Sequence, residues 1–245
     1  MKRPRVVSPV SAGQRLIARA SPQLGIAIGA AGGTVLLARG LDFDRPSAFD
    51  RRVRRAAQAP AMDGARRVLA PLFPIGLPAG YLTVAYATSH WLRRRGGRGG
   101  PAIVTAAWLG WLVQRVVKLG YHRERPRRPR VRRRTDSYPS GHTTGATALA
   151  LTLAYVLFND GHISARRAAT IAIGAPVLMG AYRVIADDHW ATDVVGGWLL
   201  GAAIGLACNA LLADLPPTTR RLREAESNSR PIRRRGRRER PSSPA

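Results

Sequence analysis

The chain has 245 residues, with 40 Lys and Arg against 14 Asp and Glu, a formal net charge of +26, and 45% hydrophobic residues. Such a charge points to nucleic acid or anionic lipid. Here, however, it is gathered into arginine clusters between long uncharged apolar stretches, which argues against a soluble nucleic-acid binder and for a multi-span membrane protein. The single cysteine, Cys208, lies inside an apolar run; it excludes an intramolecular disulfide and a cysteine-based metal site, and reads as a small buried hydrophobe.

In chain order, residues 1–19 form a basic tail without the continuous apolar core of a cleaved signal peptide. Six candidate spans follow: Ala20–Ala38, Val68–Leu92, Gly99–Gln114, Thr143–Asn159, Ala168–Tyr182 and Val194–Ala213. A spanning helix wants about 20 apolar residues. The first, second and sixth fit that length; the third and fifth are short, so their charged ends are expected near the headgroups. Pro74 and Pro78 are expected to kink the second. Between the first two spans, DFDRPSAFDRRVRRAAQ reads as a short amphipathic helix with Phe49, Val53 and Ala56–Ala57 facing lipid. The Gly-, Ala- and Thr-rich GATALALT of the fourth span suits close helix packing in lipid. Residues 216–245 are polar and rich in Pro, Ser and Arg, and read as a basic disordered tail. The expected domains are therefore the tail 1–19, a six-span domain over 20–215 and the tail 216–245. Positive charge divides almost evenly between the two sets of alternate loops, so it assigns no orientation.

Alternation puts loops 115–142 and 183–193 on one membrane face, and these loops hold the chemistry. In KLGYHRERP, Lys118 closes the third span and Arg125 adds a planar fork suited to two phosphoryl oxygens. In YPSGHTTGAT, Ser140 is a candidate N-cap, with Gly141 and His142 in the first helical turn, where free N–H groups and the dipole favour an anion. His142 would sit where it can give a proton to a leaving oxygen. In YRVIADDHWATDVVGG, Arg183 closes the fifth span, and His189 and Asp193 are four apart. Asp193 can accept one ring N–H and leave the other nitrogen nucleophilic. The same imidazoles and carboxylates, with Asp187 or Asp188, could hold a divalent ion. Lys118, Arg125 and Arg183 would repel it and favour an anionic ligand, so neither a metal nor a cofactor is expected.

These three elements, in this order, resemble the signature of the type 2 phosphatidic acid phosphatase superfamily: Lys-x6-Arg-Pro, Pro-Ser-Gly-His, and Ser-Arg-x5-His-x3-Asp. They read here as Lys118 to Arg125–Pro126, Pro139–His142, and Arg183 to His189 to Asp193. Tyr182 stands where the family has Ser. The resemblance implies an all-α, six-helix membrane phosphatase with a phosphatidic acid phosphatase/haloperoxidase-like core. It implies His189 as nucleophile, Asp193 as its orienter and His142 as general acid and base. Lys118, Arg125, Ser140, Gly141 and Arg183 would bind the phosphoryl oxygens. The implied partners are the bilayer and a lipid phosphate or diphosphate, with the site on the extracytoplasmic side of the plasma membrane. The charges Arg127–Arg134 are then expected to gather anionic headgroups. Two other readings stand beside this one: a vanadium-dependent haloperoxidase-like enzyme, which the spans argue against, and a non-enzymatic membrane tether whose arginine tracts bind nucleic acid or anionic lipid.

Overall fold

The computed structural model describes residues 12–126 and 136–212. The tail expected over residues 216–245, the start of the N-terminal tail and the patch Arg127–Arg134 lie outside the described residues. Those described form helices and no strand: α1 (Ala12–Arg39), α2 (Ala48–Ala57), α3 (Asp63–Leu69), α4 (Leu72–Gly76), α5 (Pro78–Arg94), α6 (Gly100–Leu119), α7 (Gly141–Asn159), α8 (Ala165–Ala169), a π turn (Thr170–Gly174), α9 (Ala175–Ile185) and α10 (Ala191–Leu212).

Helices α7 and α10 form the centre. α1 packs on α10, α6 on α7, and α5 against both α6 and α7. The central pair is close because α10 presents glycine every fourth residue. A methyl group added at Gly197 would lie 2.9 Å from the Ser140 carbonyl oxygen, at Gly201 2.6 Å from that of Thr144, and at Gly205 3.1 Å from that of Ala148. Small residues at this spacing let backbones approach in lipid. Both chains advance together along this contact, so α7 and α10 run parallel and start at the same end of the molecule.

Polarity is distributed for a hydrocarbon solvent. Thr143, Thr144, Thr147 and Thr152 are buried, whereas Ile26, Ile28, Leu36, Leu112, Val116, Ile173 and Val177 face outward. The buried hydroxyls are satisfied locally: Thr144 Oγ1 donates to the Ser140 carbonyl (2.9 Å) and Thr147 Oγ1 to that of Thr143 (2.7 Å). Cys208 is buried against Ala106, Ala148, Leu200 and Ile204. Among the described residues, three helical runs are long and apolar enough to cross a membrane: Gly100–Leu119, Ala165–Ile185 and Ala191–Ala210. With the outward apolar side chains, these are the features of an integral membrane protein.

Several expectations need correction. The two spans read as short are 20 and 21 residues long. The first continues through Arg115, whose guanidinium lies 5.3 Å from the Trp111 ring centroid, and Lys118. The second starts earlier, at the Ser164 N-cap, and crosses Pro176 by widening into the π turn, because proline lacks the donor an α-helix needs. The span Val68–Leu92 is broken rather than kinked. Leu77 is extended (φ −69°, ψ 153°), and Pro78 restarts the helix as α5. Helix α2 exists, but the face it turns inward carries Asp50 and Ala57; Phe49 remains exposed.

Gly201→Val is expected to cost at least about 1–3 kcal/mol, the usual range for overpacking, and to lower the melting temperature of the detergent-solubilised protein. Gly25→Val, at a position with nothing within 4 Å, should melt close to wild type. Equal shifts in the two variants would refute the close α7–α10 packing.

Candidate active site

The parallel start of α7 and α10 brings the second and third sequence elements together. Ser140 N–H donates to the Asp193 carbonyl oxygen at 3.0 Å, tying one helix start to the other. Ser140 occupies the N-cap position of α7, but its hydroxyl makes no capping bond to the backbone. It accepts instead from Thr143 Oγ1 at 3.0 Å. Its own proton is therefore available to a third group. Gly141 follows directly, with the Gln114 amide of α6 against it. No acidic residue lies in the first turn of α7, so nothing on that helix offsets the positive end of its dipole.

Asp193 is fixed by its place at the start of α10. It is the third residue of the helix, and its Oδ2 accepts the Trp190 N–H at 2.9 Å, half of a capping box. Its Oδ1 accepts from Arg123 Nη1 at 2.7 Å. One turn earlier, His189 Nδ1 lies 3.4 Å from Asp193 Oδ2, long for a hydrogen bond but within ion-pair range. On the other side of the ring, Arg125 Nη1 lies 3.0 Å from His189 Nε2 and donates to the Asp188 carbonyl at 2.9 Å. A guanidinium has no acceptor. Nε2 must therefore present its lone pair, and the ring proton belongs on Nδ1, toward Asp193. Burial, and then the charges of Arg125, Arg183 and Lys118, hold the His189 pKa well below that of a free imidazole.

The remaining cations are placed by other segments. Lys118, in the last turn of α6, donates Nζ to the Asp136 carbonyl. Arg183 is buried, pairs with Asp188 at 3.1 Å and lies 5.7 Å from the Phe73 ring centroid. The Phe73 ring stacks 5.3 Å from that of His142. Asp187, at a left-handed φ of 59°, clasps Arg54 in two bonds of 2.7 and 2.8 Å. Asp187, Asp188 and Asp193, the three carboxylates that could serve as metal ligands, are thus each engaged by an arginine. Among the described residues, no group of three His, Cys, Asp or Glu is placed to hold a metal ion. Tyr182 is buried beside its neighbour Arg183, whose guanidinium lies 5.9 Å from the ring.

The family model for the PAP2 superfamily matches residues 24–216. The chain belongs to the PAP2 superfamily. The PAP2 fold is shared with the crystal structure of the first transmembrane PAP2-type phosphatidylglycerolphosphate phosphatase from Bacillus subtilis. That structure superposes with a TM-score of 0.65 at 22% identity, over 78% of this chain and 97% of the other. No curated protein gives a significant match.

Four contributors were not foreseen from this PAP2 sequence. Arg123 bridges Asp193 to Asp50 of α2, with Arg123 Nη2 donating to Asp50 Oδ2 at 2.8 Å. Thr192 gives Asp50 both its N–H (3.0 Å) and its hydroxyl. Burial raises the Asp50 pKa, but the Thr192 N–H and Arg123 outweigh it, so the carboxyl stays below the usual range. Gly76 of α4 completes the set: a methyl group there would lie 2.4 Å from His142 Cδ2 and 2.9 Å from Met179. The one local signal among these was Ser47-x-x-Asp50, a capping-box pattern. The pairings that give Asp50 and Arg123 their roles are long-range.

With its pKa depressed by burial and the surrounding cations, His189 should stay neutral at pH values where a free imidazole has already taken up a proton. In protein labelled with ¹⁵N-histidine, its resonances should show the Nδ1–H tautomer at those values. A titration midpoint near 6.5 or an Nε2–H signature would contradict the assigned geometry.

Proposed function

We propose that this protein is an integral-membrane, metal-independent phosphatase that hydrolyses a lipid phosphate or lipid diphosphate through a phospho-histidine on His189. The observation that carries this reading is the clamping of His189 between Arg125, which can only donate, and Asp193, which can only accept. That arrangement puts the ring proton on Nδ1 and keeps the Nε2 lone pair turned toward the cations, as a nucleophile toward phosphorus requires.

The Arg125 guanidinium rests on Nε2. A phosphoryl group would draw it off, together with Lys118, Arg183, the Ser140 hydroxyl and the Gly141 N–H, onto the non-bridging oxygens. His189 Nε2 then attacks phosphorus, the N–P bond forms and the P–O bond to the lipid breaks. The leaving oxygen takes a proton from His142, and Asp193 steadies the positive charge on the imidazole. In the second half, His142 removes a proton from water as its oxygen attacks phosphorus. The N–P bond breaks, orthophosphate leaves, and His189 is neutral again. The donors around the equatorial oxygens stabilise the charge that gathers there in both steps.

The apolar exterior and the helical frame support a substrate with a phosphate head and a hydrocarbon tail. Phosphatidic acid, phosphatidylglycerol phosphate and undecaprenyl or decaprenyl phosphate esters all fit that description. On this reading α1, α5 and α7 cross the bilayer with the three long apolar runs, giving six crossings. The site then opens at the extracytoplasmic boundary of the plasma membrane.

Phosphate release from each of these lipids, measured in detergent with EDTA present, tests the reading. Wild type should remain active, His189→Ala should fall to background, and Arg125→Gln should lose about 10²–10³ in kcat/KM. Activity abolished by EDTA, or retained by His189→Ala, would overturn it.

A further inference from the structure

Behind His189 lies a buried ionic chain that reaches out of the helical core to α2. Asp193 Oδ1 accepts from Arg123 Nη1 at 2.7 Å, and Arg123 Nη2 donates to Asp50 Oδ2 at 2.8 Å. The arginine side chain is 1% exposed and both carboxylate side chains are 0% exposed. The Thr192 hydroxyl closes the chain, accepting from Arg123 at 2.7 Å and meeting Asp50 at 2.9 Å. Asp50 is itself pre-set: Ser47 accepts its N–H at 3.0 Å and donates to its carboxylate at 2.9 Å.

We infer that Asp50 and Arg123 are positioning residues for the phosphoryl-transfer site, acting through Asp193 on the orientation and basicity of His189. This rests on the reading of His189 as nucleophile. A buried ion pair is costly to assemble and contributes little net stability compared with apolar packing, so this one needs another use. One is apparent from the connectivity. Arg123 alone would neutralise Asp193 and leave it a weak partner for the imidazole. Asp50 takes up the second half of the guanidinium, so Asp193 keeps its strength as an acceptor while its geometry is fixed by two donors. Asp50 and Arg123 together are electrically neutral toward His189. Either one alone is not.

The opposite charges supply a test that packing alone could not imitate. The other charged or titratable groups acting on His189 are Arg125, Arg183, Lys118, His142 and Asp193, and none of them is substituted in any variant. In Asp50→Asn the uncompensated Arg123 should move the acid limb of kcat/KM to lower pH. In Arg123→Gln the uncompensated Asp50 should move it to higher pH. In the double variant the limb should return near the wild-type position. Each single change is expected to lower kcat about 10–100-fold, the range seen when a group holding a working ligand from behind is removed, with KM little changed. Thr192→Val should lose several-fold in kcat, and Thr192→Ser should recover it.

The assay is phosphate release from dioctanoyl phosphatidic acid in detergent micelles, with the full chain. Limbs that stay put or move the same way, or a double variant worse than the product of the singles, would overturn the proposal. If the charge variants do not yield folded protein, the Thr192 pair decides, and Thr192→Val with wild-type kcat would overturn it. His189→Ala is assayed alongside: if it retains activity the nucleophile reading itself fails, whereas an inactive His189→Ala with unmoved limbs rejects only the role of Asp50 and Arg123.

Discussion

The structure depends on two helices starting side by side. α7 and α10 run parallel because three glycines of α10 lie on the backbone and small side chains of α7. Parallel neighbours point their dipoles the same way, so two positive helix ends meet at one place. α10 answers with Asp193 in its first turn, whereas α7 has no acidic residue there. The uncompensated end is that of Ser140, Gly141 and His142. An anion is the natural complement, and the His189 imidazole lies at the neighbouring helix start. Moving α10 outward by the thickness of one side chain would separate His142 from His189. Packing in the middle of the helices thus governs the geometry at their ends.

Charge around this point is arranged in pairs, each with a distinct job. Arg54 holds Asp187, and Gln58 and Arg66 bond the carbonyls of Val184 and Ile185. The frayed end of α9 is therefore closed from outside by α2 and α3, as a helix C-terminus requires. That closure shapes the return loop from Arg183 to His189, in which the N–H groups of Asp188 and His189 both reach the Arg183 carbonyl. Arg183 and His189 consequently arrive at the same place although they end different segments. The basic residues of α2 and α3, which in composition look like simple surface charge, here tie the amphipathic segment to the loop that carries His189.

The signature residues were legible because each element is local. His189 and Asp193 are one helical turn apart, and Ser140–His142 open a helix that the apolar run behind them predicts. Lys118 was legible as the end of a span. The all-helical class follows from the apolar runs; six of them suggest crossings, and among the described residues three meet the length and hydropathy needed. What escaped was long-range. Arg123 sits in an arginine-dense loop, where its charge is one of many, and its partners Asp50 and Thr192 are 73 and 69 positions away. No periodicity encodes such a pairing. Arg125, two residues on in the same loop, stands out from the sequence only through the spacing of Lys118 to its Arg-Pro step. The inward face of α2 is hidden for a related reason. Phe49 and Val53 point to the outer stripe, but what turns inward is Asp50 with Ala57, a carboxylate that becomes apolar-compatible only once Arg123 is beside it.

The break in the second apolar stretch shows why a local rule can be obeyed while its consequence is missed. Prolines at 74 and 78 were expected to bend one helix. Instead Leu77 is extended and the chain divides, leaving α4 as a separate short turn. An unbroken helix would run away from the site along the bundle. The broken one lays Phe73 against His142 and Arg183, and brings Gly76 so close to the His142 ring that no side chain fits between them. His142 then has an aromatic face on one side and a backbone on another, which narrows the directions from which its ring can be reached. The stretch gives up length as a spanning helix and becomes an apolar wall over the second histidine, so the residues that weaken it as a span are those that build the site.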